Sequence, residues 1–215
     1  MTLYFISGLG ADKRVFKKIN LPTTYNIVHI EWIIPEKDEA IESYAGRLCT
    51  SINTSEPFSI IGLSFGGMIA TELSKIVSPE KVIIISSVAT IDEFPWYFKP
   101  LKYFNVHLLV SEKYLKKKNK ILYWLMGAKS IKEKALIHQI AKEIDLVFFK
   151  WAITKILNWK QKQAIADVIQ IHGNKDHIFP TKNSSTNYIV DGGGHLMVYS
   201  KSNEVSTILS TILSN

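Results

Sequence analysis

Phe58-Ser59-Ile60-Ile61-Gly62-Leu63-Ser64-Phe65-Gly66-Gly67-Met68-Ile69 is the stretch that decides the fold. Its apolar start reads as a buried strand. The residues after Gly67 read as a helix with Met68, Ile69, Leu73, Ile76 and Val77 along one stripe. Between them lies G-x-S-x-G, with Ser64 at the tip of a strand-to-helix turn. Backbone this sharp leaves no room for side chains across the turn, and Gly62 and Gly66 remove them. A helix starting just after Ser64 aims its free N–H groups and positive dipole end at the serine, which favours an oxyanion there.

Alone, the motif is compatible with an idle serine on a glycine-rich turn. A nucleophilic serine needs a base, and the base needs an acid to orient it. Two downstream segments supply candidates. Val168-Ile169-Gln170-Ile171-His172-Gly173-Asn174-Lys175-Asp176-His177 reads as a buried strand running into a turn, with Asp176 just past its end. Asn187-Tyr188-Ile189-Val190-Asp191-Gly192-Gly193-Gly194-His195 reads as a strand, a glycine loop and then His195. In a parallel sheet, ligand chemistry gathers outside the carboxyl ends of the strands. Ser64, Asp176 and His195 each fall at such an end.

Other candidates weigh less. Asp191 lies too near His195 in sequence to orient its ring and reads as a turn residue. His172 reads as a hydrogen-bonded structural histidine, and His177 is expected to face solvent or a loop. Asp92, after the strand Val82-Ile83-Ile84-Ile85-Ser86-Ser87, is the rival acid; order and strand-end placement favour Asp176. His29, His107 and His138 fall in a strand, an insert and a helix, where structural roles are the simpler reading.

These residues resemble the α/β-hydrolase superfamily over most of 1–98 and 160–215. The motifs are Ser7-Gly8-Leu9-Gly10, Gly62-Leu63-Ser64-Phe65-Gly66-Gly67, His172-Gly173-Asn174-Lys175-Asp176 and Gly193-Gly194-His195. The resemblance implies Ser64 as nucleophile, Asp176 as acid and His195 as base. It implies backbone N–H donors at Phe65 and Leu9 for an oxyanion hole. The common loop pattern begins His-Gly, where this chain has Ser7-Gly8; the Ser7 hydroxyl is expected to brace the loop instead. The implied activity is hydrolysis of a small-molecule carboxylic ester or thioester through an acyl-enzyme, with no cofactor and no metal. Lyases, acyltransferases and C–C hydrolases share the fold and triad, and a non-catalytic binding module is a further alternative.

Strand-like runs at 2–6, 26–31, 58–63, 82–86, 168–172 and 187–190 alternate with helical patterns. This predicts an α/β fold with a mainly parallel sheet of about six strands, covered by helices on both faces. The antiparallel first hairpin of larger superfamily members is expected to be absent. A length of 215 residues suits a single domain, here a core of 1–90 and 165–215. A helical lid is expected at about 91–164. Hydrophobic content of 47% excludes disorder, and one cysteine, Cys49, excludes an internal disulfide. Met1-Thr2-Leu3-Tyr4-Phe5-Ile6 reads as a first strand rather than a signal peptide, and no apolar run has membrane-spanning length. A cytoplasmic protein is expected.

The insert is helical in pattern. Ser130-Ile131-Lys132-Glu133 is a capping-box signature, and Ile137, Ile140, Ala141 and Ile144 share one face after it. Phe94, Trp96, Tyr97, Phe98, Trp124, Phe148, Phe149 and Trp151 make it rich in aromatics. Residues 99–162 hold 15 Lys and no Arg against Glu112, Glu133, Glu143 and Asp145. The local net is +11, so with +7 for the chain the remainder carries −4. Such a charge run usually solvates a face; the functional reading is attraction to an acidic carrier, a phosphate-bearing thioester or an anionic membrane. Nucleic-acid binding is not expected, since arginines for base readout are missing. Dinucleotide binding is set aside because Lys13 occupies the third glycine position after Gly8-Leu9-Gly10.

Overall fold

A computed structural model of the chain describes residues 1–165, 168–183 and 186–214. Its strands are β1 (Thr2–Ile6), β2 (Asn26–Ile30), β3 (Phe58–Leu63), β4 (Val82–Ile85), β5 (Val168–Gly173) and β6 (Tyr188–Val190). They form a six-stranded sheet in the order β2-β1-β3-β4-β5-β6, every pair parallel. Among the described residues, no antiparallel strand precedes or flanks β1. The register pairs Leu63 with Ile85, Ile85 with Ile171 and Gly173 with Val190. The carboxyl ends of β3, β4, β5 and β6 therefore finish at one rim.

The side chains alternate between two cores, as the period of a strand requires. Tyr4, Ile6, Ile60 and Ile84 enter one buried cluster, with α1 (Ile41–Cys49), α2 (Phe65–Leu73) and α7 (Leu146–Leu157). Leu3, Phe5, Ile61, Ile83 and Ile171 enter the other, against α8 (Met197–Ser200) and α9 (Ser202–Ser214). Each fully buried Leu or Ile contributes about 1.5–3 kcal/mol of transfer free energy. The central strands β1, β3 and β4 are thus covered on both faces, while the edge strands β2 and β6 stay partly exposed, as at Ile27 and Ile189.

Two expectations need correction. α2 does not bury one stripe: all nine of its residues are buried, and it ends at Leu73 with Ser74 as C-cap. Ile76 lies beyond that end and is exposed. The helix is wedged between the sheet and α1, so the half-wet geometry behind a stripe does not apply. The strand at β4 also stops earlier, at Ile85, because Ser86 takes a positive φ of 49° that extended backbone cannot continue.

Between β4 and β5 the described chain is helical. It holds a 3-10 turn (Ile91–Glu93), α3 (Phe98–Phe104), a second 3-10 turn (Val106–Leu109), α4 (Glu112–Leu115), α5 (Lys120–Leu125), α6 (Ile131–Glu143) and α7. The capping box forms at α6: Ser130 accepts from the Glu133 N–H while Glu133 accepts from the Ser130 N–H. Leu136, Ile137, Ala141 and Ile144 are buried, and Ile140 is half-buried. α7 belongs to the core, with Phe148, Trp151, Ala152 and Ile156 buried. The Trp151 indole N–H donates to the Glu39 carbonyl at 2.9 Å, and that of Trp159 to Glu72 Oε1 at 2.7 Å.

Candidate active site

Ser64 sits between β3 and α2 with φ 53° and ψ −120°. This is a costly region for a residue with a side chain, about 1–3 kcal/mol, and it persists only where neighbours enforce it. A Cβ on Gly62 would strike the Gly66 carbonyl, and one on Gly66 would strike the carbonyls of Ile6 and Ser7. The turn is also tied down. The Ser64 N–H donates to the Ile85 carbonyl at 2.9 Å, and the Ser64 carbonyl accepts from Ser87 Oγ at 2.7 Å. Ser87 was not singled out from sequence. Gly67 makes room for it: a Cβ there would fall 2.6 Å from the Ser87 Cβ.

Asp176 follows β5 in a turn closed by its N–H on the Gly173 carbonyl at 3.1 Å. Its carboxylate is buried and fully engaged. Oδ1 accepts from the backbone N–H groups of Ile178 at 2.8 Å and Phe179 at 3.0 Å. Oδ2 meets His195 Nδ1 at 2.8 Å and His172 Nε2 at 3.2 Å. Burial raises the carboxyl. The electrostatic attraction of the adjacent His195 ring and the hydrogen bonds from His172 and His195 outweigh that, so it lies well below the usual carboxylate range.

His195 follows β6 on a loop that Gly192 turns at φ 64°. This loop is stitched to the Asp176 loop. The Lys175 N–H donates to the Gly193 carbonyl at 2.8 Å, Asn174 Nδ2 to Asp191 at 2.8 Å, and the Gly192 N–H to Asn174 Oδ1 at 2.8 Å. Asp191 is a turn residue, as expected. The buried imidazole lies with Nε2 2.8 Å from Ser64 Oγ. An ionised carboxylate only accepts, so Nδ1 carries the proton and Nε2 is free to accept from the serine hydroxyl. Ser64, His195 and Asp176 therefore form one continuous hydrogen-bonded line.

Phe65 is the first residue of α2, so its N–H has no partner four residues back in the helix. Facing it is the loop after β1. A Cβ on Gly8 would lie 3.5 Å from the Ser64 Cβ, which puts this loop directly against the nucleophile position. The Gly8 carbonyl accepts from Trp32 Nε1 at 3.1 Å and from the Ala11 N–H at 2.9 Å. Ser7 Oγ donates to the Ala11 carbonyl at 2.6 Å, a brace across the loop. Leu9 sits between these fixed points, half-buried against the core.

The remaining candidates lie elsewhere. Asp92 is exposed on its 3-10 turn, and Asp176 is the carboxylate on His195. His172 is a buried, hydrogen-bonded histidine, but its partner is Asp176 itself. His177 departs from expectation: its ring stacks on Trp124, with centroids 4.2 Å apart and planes 14° apart. His29 packs among Phe5 and Phe16, and His107 bonds Thr154 Oγ1 at 2.8 Å. Among the described residues no group of three or more His, Cys, Asp and Glu side chains is placed to hold a metal ion.

No protein-family model and no curated protein matches the sequence. Solved structures do match in shape. An esterase from Exiguobacterium antarcticum superposes with a TM-score of 0.74 at 14% identity, over 100% of this chain and 92% of its own. A hydrolase from Oleispira antarctica gives 0.72 at 15% identity, over 100% and 91%. A bromoperoxidase from Bacillus anthracis gives 0.67 at 13% identity, over 100% and 92%. With the parallel sheet order and the elbow at Ser64, these likenesses identify the chain as having the α/β-hydrolase fold.

Proposed function

We propose that this protein is a serine hydrolase acting on a carboxylic ester or thioester. Ser64 is the nucleophile, His195 the base and Asp176 the orienting acid. The observation that carries the reading is the pair of 2.8 Å hydrogen bonds joining Ser64 Oγ to His195 and His195 to Asp176. His195 Nε2 takes the hydroxyl proton as Ser64 Oγ attacks the acyl carbon. The N–H groups of Phe65 and Leu9 receive the developing oxyanion, about 3 kcal/mol per donor. His195 then returns the proton to the leaving oxygen or sulfur. Water, deprotonated by the same imidazole, releases the acid from Ser64. Asp176 holds the ring tautomer and balances the imidazolium charge.

The insert at 91–164 serves as the lid of a single domain in this reading, with α7 as its anchor in the core. Ile144 packs on the Gly10 backbone beside the Leu9 donor, and Trp124 stacks on His177 next to Asp176. These contacts support a substrate site walled by the insert as well as by the rim. No helix among the described residues is long and apolar enough to cross a membrane.

Covalent labelling tests this directly. A fluorophosphonate probe is expected to label the wild type at Ser64 and to leave Ser64→Ala unlabelled. A folded wild type that stays unlabelled beside a reactive control esterase rules the nucleophile out. Trapping an acyl-Ser64 adduct with p-nitrophenyl esters then separates hydrolysis from lyase chemistry.

A further inference from the structure

The front of the insert leaves its apolar side chains uncovered. Among the described residues, α3, α4 and α5 contain no buried side chain. Trp96 and Phe104 are each 75% exposed and Leu109 is 84% exposed; Tyr103, Ile121 and Trp124 also face outward. Single exposed apolar residues, such as Ile34 and Ile189, are ordinary, but their concentration in 96–124 marks a surface built for contact.

The same segment, 96–124, holds seven lysines against one acid, Glu112, for a net charge of +6. Lys117, Lys118 and Lys120 are exposed, and Lys116 is half-buried and paired with Glu112. Trp and Tyr settle at the boundary between lipid and water, while lysine stems lie along apolar surface with their ammonium groups in the headgroup layer. Short helices with aromatics beside lysines bind anionic bilayers through both terms together. A nucleic acid would engage the charge but leave Leu109, Phe104 and Ile121 without a role.

This surface is joined to the candidate site. Trp124 of α5 stacks on His177, the neighbour of Asp176. Just after α5, the Met126 carbonyl accepts from the Leu196 N–H at 3.0 Å, next to His195. A Cβ on Gly127, which has φ 68°, would come 2.9 Å from the Gly194 Cα. The insert thus touches both loops that carry the histidine and the acid.

We propose that the 96–124 face docks on an anionic phospholipid surface, which sets the Ser64 site beside a source of acyl chains. Docking itself is independent of the hydrolase reading; only the supply of acyl substrate rests on it.

Vesicle co-sedimentation tests docking, with phosphatidylglycerol–phosphatidylcholine vesicles against phosphatidylcholine alone. Wild type and Ser64→Ala are expected to pellet equally with the anionic vesicles and to stay in solution with the neutral ones. The variant Lys116→Glu, Lys117→Glu, Lys118→Glu is expected to bind anionic vesicles more than about tenfold more weakly. It should keep the wild-type far-UV circular dichroism and its activity on a soluble ester. A second variant, Trp96→Ser with Leu109→Ser, separates the apolar contribution and is expected to weaken binding at high salt as well. Wild type that remains in solution with anionic vesicles at low salt overturns the proposal. So does charge-reversed protein that binds as well as wild type, and so does capture by an acidic carrier protein without any binding to vesicles. Because co-sedimentation reads Ser64→Ala by binding alone and not by activity, loss of the triad reading leaves the docking result intact.

Discussion

Ser64 keeps its positive φ because the residues around it give the turn no other way to close. Gly66 faces the carbonyls of Ile6 and Ser7, so a methyl group there must push backbone rather than a pliable side chain. Gly66→Ala is expected to destabilise by about 1–3 kcal/mol, the usual range for overpacking, and to slow labelling of Ser64 as the turn shifts. Urea unfolding beside probe kinetics checks both; a variant that labels at the wild-type rate shows that the turn tolerates the methyl. At Asp176 the issue is charge rather than space. Asp176→Asn keeps the shape and offers His195 an amide that can hold the ring in the wrong tautomer. The expected loss in ester hydrolysis is about 10⁴-fold. Steady-state kinetics on p-nitrophenyl acetate decide it, and a loss below tenfold removes Asp176 from the role. These residues were legible because each chemistry-bearing side chain sits just past a strand end, within a few residues of a glycine. His172 and Ser87 were less so: their importance lies in partners, Asp176 Oδ2 and the Ser64 carbonyl, that only the folded chain brings near.

At the scale of elements, legibility follows from how local the deciding physics is. The six strands were found to within a residue or two, since continuous apolar runs have few other uses in a chain of this kind. The α6 start was equally plain, because a capping box is written in four consecutive residues, Ser130 to Glu133. Replacing Ser130 by Ala removes an acceptor for the Glu133 N–H and is expected to cost about 1 kcal/mol. In a domain of this size that lowers Tm by about 2–4 °C per kcal/mol. Calorimetry of Ser130→Ala against wild type reads the shift; an unchanged Tm means that α6 frays before the core unfolds. The aromatics of the insert were not legible in the same way. Trp151 and Phe148 are buried whereas Trp96 and Trp124 are exposed, although all lie in the same aromatic-rich insert. What separates them is which helix reaches the sheet, and that is set by contacts far apart in sequence.

For the whole molecule, the parallel order β2-β1-β3-β4-β5-β6 turns separate strand ends into one rim, where the buried Asp176 carboxylate follows β5. That has a consequence for stability in acid. The Asp176 carboxyl is raised by burial but lowered more by His195 and His172, and it ends below its ordinary value. Glu39 is lowered chiefly by its hydrogen bonds with Arg47, and Asp12 chiefly by those with Arg14. An unfolded Asp or Glu titrates near about 4. Below that value the unfolded chain takes up protons that the folded chain refuses, so stability rises with pH across this window. The contribution is complete above about pH 5 and is lost as pH falls from about 4 towards the folded values. The net charge of +7 grows as carboxylates neutralise, and self-repulsion adds to the loss. Urea titrations between about pH 5 and pH 2.5 are therefore expected to give falling midpoints for the wild type. The slope should be shallower for Asp176→Asn, which has no proton to gain at that site. Parallel curves for the two proteins would place the acid sensitivity in the Glu39–Arg47 and Asp12–Arg14 pairs instead of the rim.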